Sequence, residues 1–451
     1  MHSGHTRRLS ALLSQVTIAL AVATAAGCYD DVGPYATGSG TAGKSGSGGG
    51  TGRGGRGGAS GTAGSTGSGG ASGSGPGGSV GGSGPGGSVG GSIGGTGTGG
   101  SVAGSDGGST AGSGGSTGGT AGHGAGGTGP VTMQPWPSDE TVVAVDGMNQ
   151  FSKNLSDLVY EPPYAGASGD VLWGVMNSPS TLYCLLWNGT TWSGMAQDGW
   201  TFGKPLHYPG GAGNPDSEGL TRTEWSSTAI YVSTERDNNA GDVSRMSVLR
   251  YDFAGTDSAL NATNEWNLTS DLPASDPNQG LEAVAWVPDA YLVAHGFFDE
   301  AAGAAYDPAR YSNHGGGLFF VGLESNGMIY GYALDHSNAA GTFRRVATVA
   351  SGHISIMSLD FDRDQGNLWA YCDDTCGNEA AVLRIGASGR FELTKLYSKP
   401  PSLANSNYEG ITFAPESECS AQGFKSFFWT DDAVAGGHAL FRGAIPCGPL
   451  P

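Results

Sequence analysis

The stretch "NYEGITF" at 407–413 has two relatives earlier in the chain, "DSEGLTR" at 216–222 and "GLEAVAW" at 280–286. Each writes a carboxylate, a tiny residue and an aliphatic residue at the head of an apolar run. A buried carboxylate is costly without a partner, so three copies in one frame imply a shared partner or a shared architectural job. Two further segments, "NLSDLVYEP" at 154–162 and "HISIMSLDFDR" at 353–363, align with these on the aliphatic residue, which sets Leu158, Leu220, Val284, Leu359 and Ile411 in register. The intervals between them vary from 52 to 75 residues. That irregularity is expected where loops vary over a fixed core.

A second apolar run follows each motif: "VLWGVMNS", "AIYVSTER", "YLVAHGF", "NLWAYCDD" and "SFFWTDD". A third follows in turn: "TLYCLLW", "MSVLRYDF", "GGLFFVGL", "AAVLRIG" and "HALFRGA". These runs are short, aromatic and β-branched, with Gly, Asn, Asp and Pro between them, which is the pattern of strands. Nothing of comparable length carries a helical period. Five units of three or four antiparallel strands predict an all-β chain folded as a five-bladed β-propeller. After "HALFRGA" too little chain remains for a fourth strand, while "ETVVAVDG" at 140–147 has no unit of its own. This segment is expected to supply the outer strand of the last blade and close the ring, which removes exposed sheet edges.

The N-terminal third is different material. Most of the 84 glycines crowd into it, and Gly38 to Pro130 is almost entirely Gly, Ser, Thr and Ala. Such a segment has little to bury against the entropy of ordering its backbone, so it is expected to be disordered. A coil of this length reaches roughly 50 Å. A calcium-binding Gly-rich repeat would need Asp at a fixed period, and Asp106 stands alone. Ahead of it, Arg7 and Arg8 precede an apolar stretch and then Ala25-Ala26-Gly27-Cys28. That is the layout of an export signal. The ending is similar to a bacterial lipobox, with Ala25 where Leu is usual, and implies lipidation of Cys28. The chain therefore divides into a lipoprotein signal over 1–27, a tether over 28–130 and a propeller over 131–451, anchored to a bacterial cell envelope by acyl chains alone. Ordinary signal cleavage with an unmodified Cys28 is the alternative.

The formal net charge of −19, from 40 acidic against 21 basic residues, falls on the folded part. Nucleic acid is excluded as a partner, because phosphate binding needs a basic face. Six cysteines suit an oxidising compartment. Setting Cys28 aside leaves an odd number, which cannot all pair. Cys372 and Cys376 lie close enough in "YCDDTCG" for a bridge across a turn; a metal site there would lack a second ligand pair nearby. Cys419 is expected to join Cys447, with Cys184 kept as a packed thiol inside a strand.

Taken in order, these five motifs resemble the successive repeats of the SdiA-regulated family of bacterial five-bladed propellers, over nearly the whole folded part. They are also similar to phytase-like, esterase-like and NHL-type propellers. The resemblance implies bound calcium and assigns its acidic positions to Glu218, Glu282 and Glu409. Two residues depart from the family pattern: Asp157 and Ala283 each stand where Gly is usual.

Equivalent residues of innermost strands form a ring around a propeller's channel. Three carboxylates in one ring repel unless a cation lies between them, and calcium takes six to eight oxygen ligands at about 2.3 to 2.6 Å. The small residue after each Glu suits a crowded channel wall. For any one Glu, hydrogen bonding to neighbouring backbone N–H groups is the plainer reading. Glu235, Asp373, Asp374, Asp431 and Asp432, at the ends of second runs, read as turn formers decorating one rim.

Two functions remain open. The first is a surface-tethered, calcium-binding propeller, expected to be monomeric, that presents loops to a ligand or partner. The alternative is a metal-dependent phytase-like or esterase-like hydrolase. A phytase should gather Lys and Arg near its metal, yet the repeat motifs hold no basic cluster. A serine esterase should show G-x-S-x-G after a strand, and none follows one here. His295 and His353, at the ends of apolar runs, are the candidate bases.

Overall fold

A computed structural model describes residues 130–163 and 169–451. The signal segment, Cys28 and the tether up to residue 129 lie outside them. Five sheets, antiparallel apart from short parallel pairings at two edges, hold nearly all of the strands among the described residues. In order from the innermost strand, the first blade runs Leu155–Glu161, Val171–Met176, Thr181–Trp187 and Lys204–His207. The second runs Pro215–Arg222, Ala229–Asp237, Ser244–Asp252 and Asn264–Asn267, and the third Leu281–Pro288, Gly317–Leu323, Met328–Leu334 and Phe343–Ala350. The fourth comprises Ser358–Asp362, Asn367–Tyr371, Ala380–Ile385 and Phe391–Tyr397, and the fifth Tyr408–Phe413, Phe424–Asp431 and Leu440–Pro446. All five motifs lie on innermost strands.

The ring is closed by packing. Alternate side chains of a strand point to opposite faces, so each inner strand feeds the core on both sides of its blade. Val159 and Trp173 of the first blade pack with Leu220 and Tyr251 of the second, while Leu158 and Leu172 pack with Phe428 and Leu440 of the fifth. The same alternation fills the interfaces of the second blade with the third, the third with the fourth and the fourth with the fifth. Trp173, Trp286, Trp369 and Trp429 are all buried in these layers. Truncating one to Ala should cost about 3 to 5 kcal/mol.

The N-terminal segment closes the ring as expected. Val143–Ala144 pairs antiparallel with Phe441 and Arg442 of the last blade, and Val145 N–H continues the ladder to Leu440 O at 2.9 Å. Upstream, Met133–Gln134 adds a parallel strand beside Leu396 and Tyr397 of the fourth blade, which the sequence did not suggest. Trp136 lies between these two pairings, buried in the core between fourth and fifth blades, and donates from Nε1 to Ala444 O at 2.9 Å.

The third unit departs from the expectation. "YLVAHGF" falls on a short α-helix, Asp289–Ala294, and on the turn after it. The second strand is instead Gly317–Leu323, which had been assigned as third. Pro288 ends the inner strand, Asp289 occupies the first helical turn, and only Leu292 of the helix is buried. An apolar run of that length fits a helix turn or a strand equally well, and an insertion decides between them. No helix among the described residues is long and apolar enough to cross a membrane.

Both expected disulfides are present, Cys372–Cys376 and Cys419–Cys447, with Cα separations of 5.7 and 6.2 Å. Cys184 is buried in its strand.

Candidate functional site

The starts of the inner strands converge on one end of the central channel, and there the ladders are irregular. Register shifts fall at Leu155/Asp157, Ser217/Leu220, Leu281/Ala283 and Tyr408/Ile411, the same place in four of the five blades. A bulge re-aims the side chain it carries. In the second, third and fifth blades that side chain is Glu218, Glu282 or Glu409. The bulged backbone is held by hydroxyls of the second strands: Gly219 N–H donates to Ser233 Oγ at 2.8 Å, and Gly410 N–H to Thr430 Oγ1 at 2.7 Å. These glycines cannot be enlarged. A Cβ on Gly219 would lie 2.6 Å from Val284 N of the next blade, and one on Gly410 would lie 2.5 Å from Ser156 O.

Glu218, Glu282 and Glu409 line one cavity of about 230 Å³, together with Glu235, Glu324 and Asp373. Arg236 is the one basic residue of the lining, and its Nε lies 2.6 Å from Asp216 Oδ2. Asn177, Asn278 and Asn407 supply amides, and Asn407 donates to Glu409 Oε1 at 2.8 Å. Met357 takes the equivalent place in the fourth blade and Ser156 in the first, the two blades without an acid there.

Charge is crowded in this space. Asp216, Glu218 and Glu235 each offer an oxygen within 4.8 Å of the other two, and so do Glu235, Glu282 and Glu324. Burial pushes Glu218, Glu282 and Glu409 well above the ordinary carboxylate range, and repulsion from neighbouring carboxylates pushes them further. Glu235 is raised to about 8, by burial first, although Gly280 N–H donates to it at 2.9 Å. Glu324 is raised to about 7 by burial and by Asp373.

The carboxylates and amide oxygens suit a hard divalent cation, with no thiolate or imidazole among them. Glu409 Oε2 and Asn177 Oδ1 are buried without a hydrogen-bond partner. Groups of this kind are normally satisfied, so the cavity has oxygen valence to spare.

Several residues read differently in the folded chain. Glu235 is a buried member of the cluster rather than a rim turn former. Asp373 both lines the cavity and caps a short turn, accepting from Thr375 N–H at 3.0 Å. Asp431 is a turn former, accepting from Ala433 and Ala435 N–H, and Asp374 is exposed. Asp157 contributes no wall to the cavity and is buried behind it. His295 is exposed at the end of the short helix, while His353 is packed away with its pKa pushed down to about 4 by burial. Neither histidine lines the cavity. Asp216 and Glu324 went unnoticed in the sequence.

No protein-family model and no curated protein matches this chain. Solved structures with similarity include a protein from Lactobacillus plantarum, at 11% identity over 65% of this chain and 67% of that one, with a TM-score of 0.27. Another is a nidogen/laminin complex, at 11% identity over 64% of this chain and 83% of that one, with a TM-score of 0.29. The five-bladed assignment rests on the strand pairing and interblade cores.

Proposed function

We propose that this chain is a calcium-binding β-propeller, tethered to a bacterial cell envelope through Cys28 and a Gly/Ser-rich spacer, that presents its loops to a ligand or protein partner. One observation carries the reading: six carboxylates line a single cavity whose only guanidinium is already paired with Asp216. Glu218, Glu282 and Glu409 would be the shared ligands, with Glu235 between the two oxygen clusters. Calcium supplies the positive charge that like-charged carboxylates lack. The chain's own part is to hold those oxygens on bulged strands, close enough to converge and too rigid to separate. The resemblance to SdiA-regulated propellers supports the same reading.

The hydrolase alternative asks for a base beside a group that gathers phosphate or polarises an ester. The cavity lining offers neither a histidine nor an uncommitted cation among the described residues. The binding role is therefore the better supported of the two.

The test is thermal. Calcium should raise the melting temperature in a concentration-dependent way, because it binds the folded state alone. Glu409→Gln should remove most of that rise at nearly constant shape. A melting temperature indifferent to both calcium and chelator would refute the proposal. Mass spectrometry of the mature N-terminus tests the tether; an unmodified Cys28 would overturn lipidation without touching the cavity.

A further inference from the structure

The inner strands all run the same way through the channel, so their ends gather at the mouth opposite the acidic cavity. A second cavity of about 80 Å³ lies there, walled by Tyr160, Trp225, Trp286, Phe413, Asp360 and Arg363. Its chemistry is different: aromatic walls with three aspartates and one guanidinium. That is the composition of small-molecule sites, where apolar surface supplies affinity and a few polar groups supply orientation.

The two charged groups attract each other without closing into an ion pair. No ion pair joins Asp360 to Arg363 among the described residues. Arg363 donates from Nη2 to Arg222 O at 2.6 Å, and its guanidinium lies over the Trp225 ring at 3.9 Å and the Trp286 ring at 5.2 Å. The cation thus lies against two indoles, while among the described residues Arg222 O is the one hydrogen-bond acceptor its donors meet. Asp360 accepts from Thr412 Oγ1 at 2.9 Å and is also held by the backbone N–H of Phe361. Both groups are desolvated: burial raises Asp360 to about 7 and lowers Arg363 to about 10.

Charge chooses the ligand class. Asp362 is neutralised by Lys425 at 2.9 Å, which leaves Asp360 and Asp364 against Arg363. An anion would meet a net negative wall. A cation would be repelled by Arg363, whose own charge already lies against both indoles. A neutral molecule with adjacent hydroxyls meets an acceptor, a fork of donors and the rings of Tyr160 and Phe413 for its C–H faces. The volume is several times the roughly 10–15 Å³ that one water needs, room for a small ring.

We propose that this mouth binds a single neutral sugar ring, its hydroxyls shared between Asp360 and Arg363 and its apolar face against the aromatic wall. The site is independent of the acidic cavity, so it is tested in EDTA on the purified chain. Intrinsic tryptophan fluorescence is titrated with glucose, galactose, mannose and N-acetylglucosamine, and with sodium acetate and tetramethylammonium chloride as anion and cation probes. At least one sugar should change the emission saturably, and Arg363→Gln should weaken it roughly tenfold or more through the lost charged hydrogen bonds. Trp225→Phe, on a half-buried side chain, provides a second variant if Arg363→Gln melts early, and should reduce both the signal and the affinity. No saturable response to any sugar would overturn the proposal. So would preferential binding of acetate or tetramethylammonium, or sugar binding unchanged in both folded variants.

Discussion

Ser358 of the fourth blade donates its hydroxyl to Asp157 Oδ1 of the first at 2.8 Å, across the axis of the propeller. The other carboxylate oxygen accepts Leu220 N–H of the second blade at 2.7 Å, and Ser358 Oγ accepts Ile411 N–H of the fifth at 3.1 Å. Two side chains thereby tie four blades together at a point where Gly at 157 could tie none. Asp157→Ala leaves a buried backbone N–H without an acceptor and should cost about 1–3 kcal/mol. Urea denaturation should show this against exposed Asp242→Ala as control; equal midpoints would refute the latch.

Stability should fall with rising pH when calcium is absent. Glu324 and Glu235 titrate near 7 and 8 in the folded chain against an ordinary 4.5. Between those limits the folded chain holds more protons than the unfolded one, so unfolding becomes easier as pH rises. In EDTA the melting temperature should therefore decline from about pH 5 to pH 8. Calcium should flatten that decline, and proton release on calcium addition should be detectable in weakly buffered solution. A melting temperature rising through this window in EDTA would contradict the crowding.

Arg222 and Glu161 form a buried ion pair between the second and first blades, and Trp173 Nε1 donates to Glu161 Oε2 at 2.7 Å. Removing one partner strands the other charge, so Glu161→Leu should cost about 3–5 kcal/mol. The double variant Glu161→Leu with Arg222→Met should be markedly less destabilised than Glu161→Leu alone, since no charge is left unpaired. Thermal melts of the native chain, Glu161→Leu, Arg222→Met and the double variant decide; a double variant as unstable as the sum of the singles would show that packing alone matters there.

The two disulfides should differ in worth. Cys419–Cys447 closes a sequence separation of 28 and Cys372–Cys376 one of 4. Loop entropy assigns them roughly 3–4 and about 2 kcal/mol. Paired Cys→Ala variants should lose midpoint in that order under urea. The reverse order would mean that the buried environment of Cys372 outweighs chain entropy.

The repeats were legible because each inner strand begins with a motif that its position demands. Glu218 and Gly219, like Glu409 and Gly410, record a bulge that aims one side chain inward while its neighbour meets the next blade's backbone. The aliphatic residues on which the motifs align, Leu220 and Ile411 among them, are buried in the interblade cores. The second strands were harder. Glu324 directly follows the second strand of the third blade and Glu235 lies near the end of that of the second; Glu324 was hidden because "YLVAHGF" took that strand's place in the alignment. Asp216 was visible in "DSEGL", two residues before Glu218. Nothing in sequence spacing reveals its pairing with Arg236, which forms only when strand ends meet. The aromatic mouth is built from ends of inner strands and the connections after them, and those share no motif.

The strap from Met133 to Val145 has a topological consequence. It carries the backbone from the fifth blade into the first, the one junction that a simple succession of blades would leave uncrossed. Every neighbouring pair of blades is then joined by a peptide connection as well as by a packed interface. A single cut in any one connection leaves the other four in place. A protease nick near Asn278, between the second and third blades, should pass unnoticed in gel filtration and reveal two fragments only after denaturation, with no reduction needed because neither disulfide spans the cut.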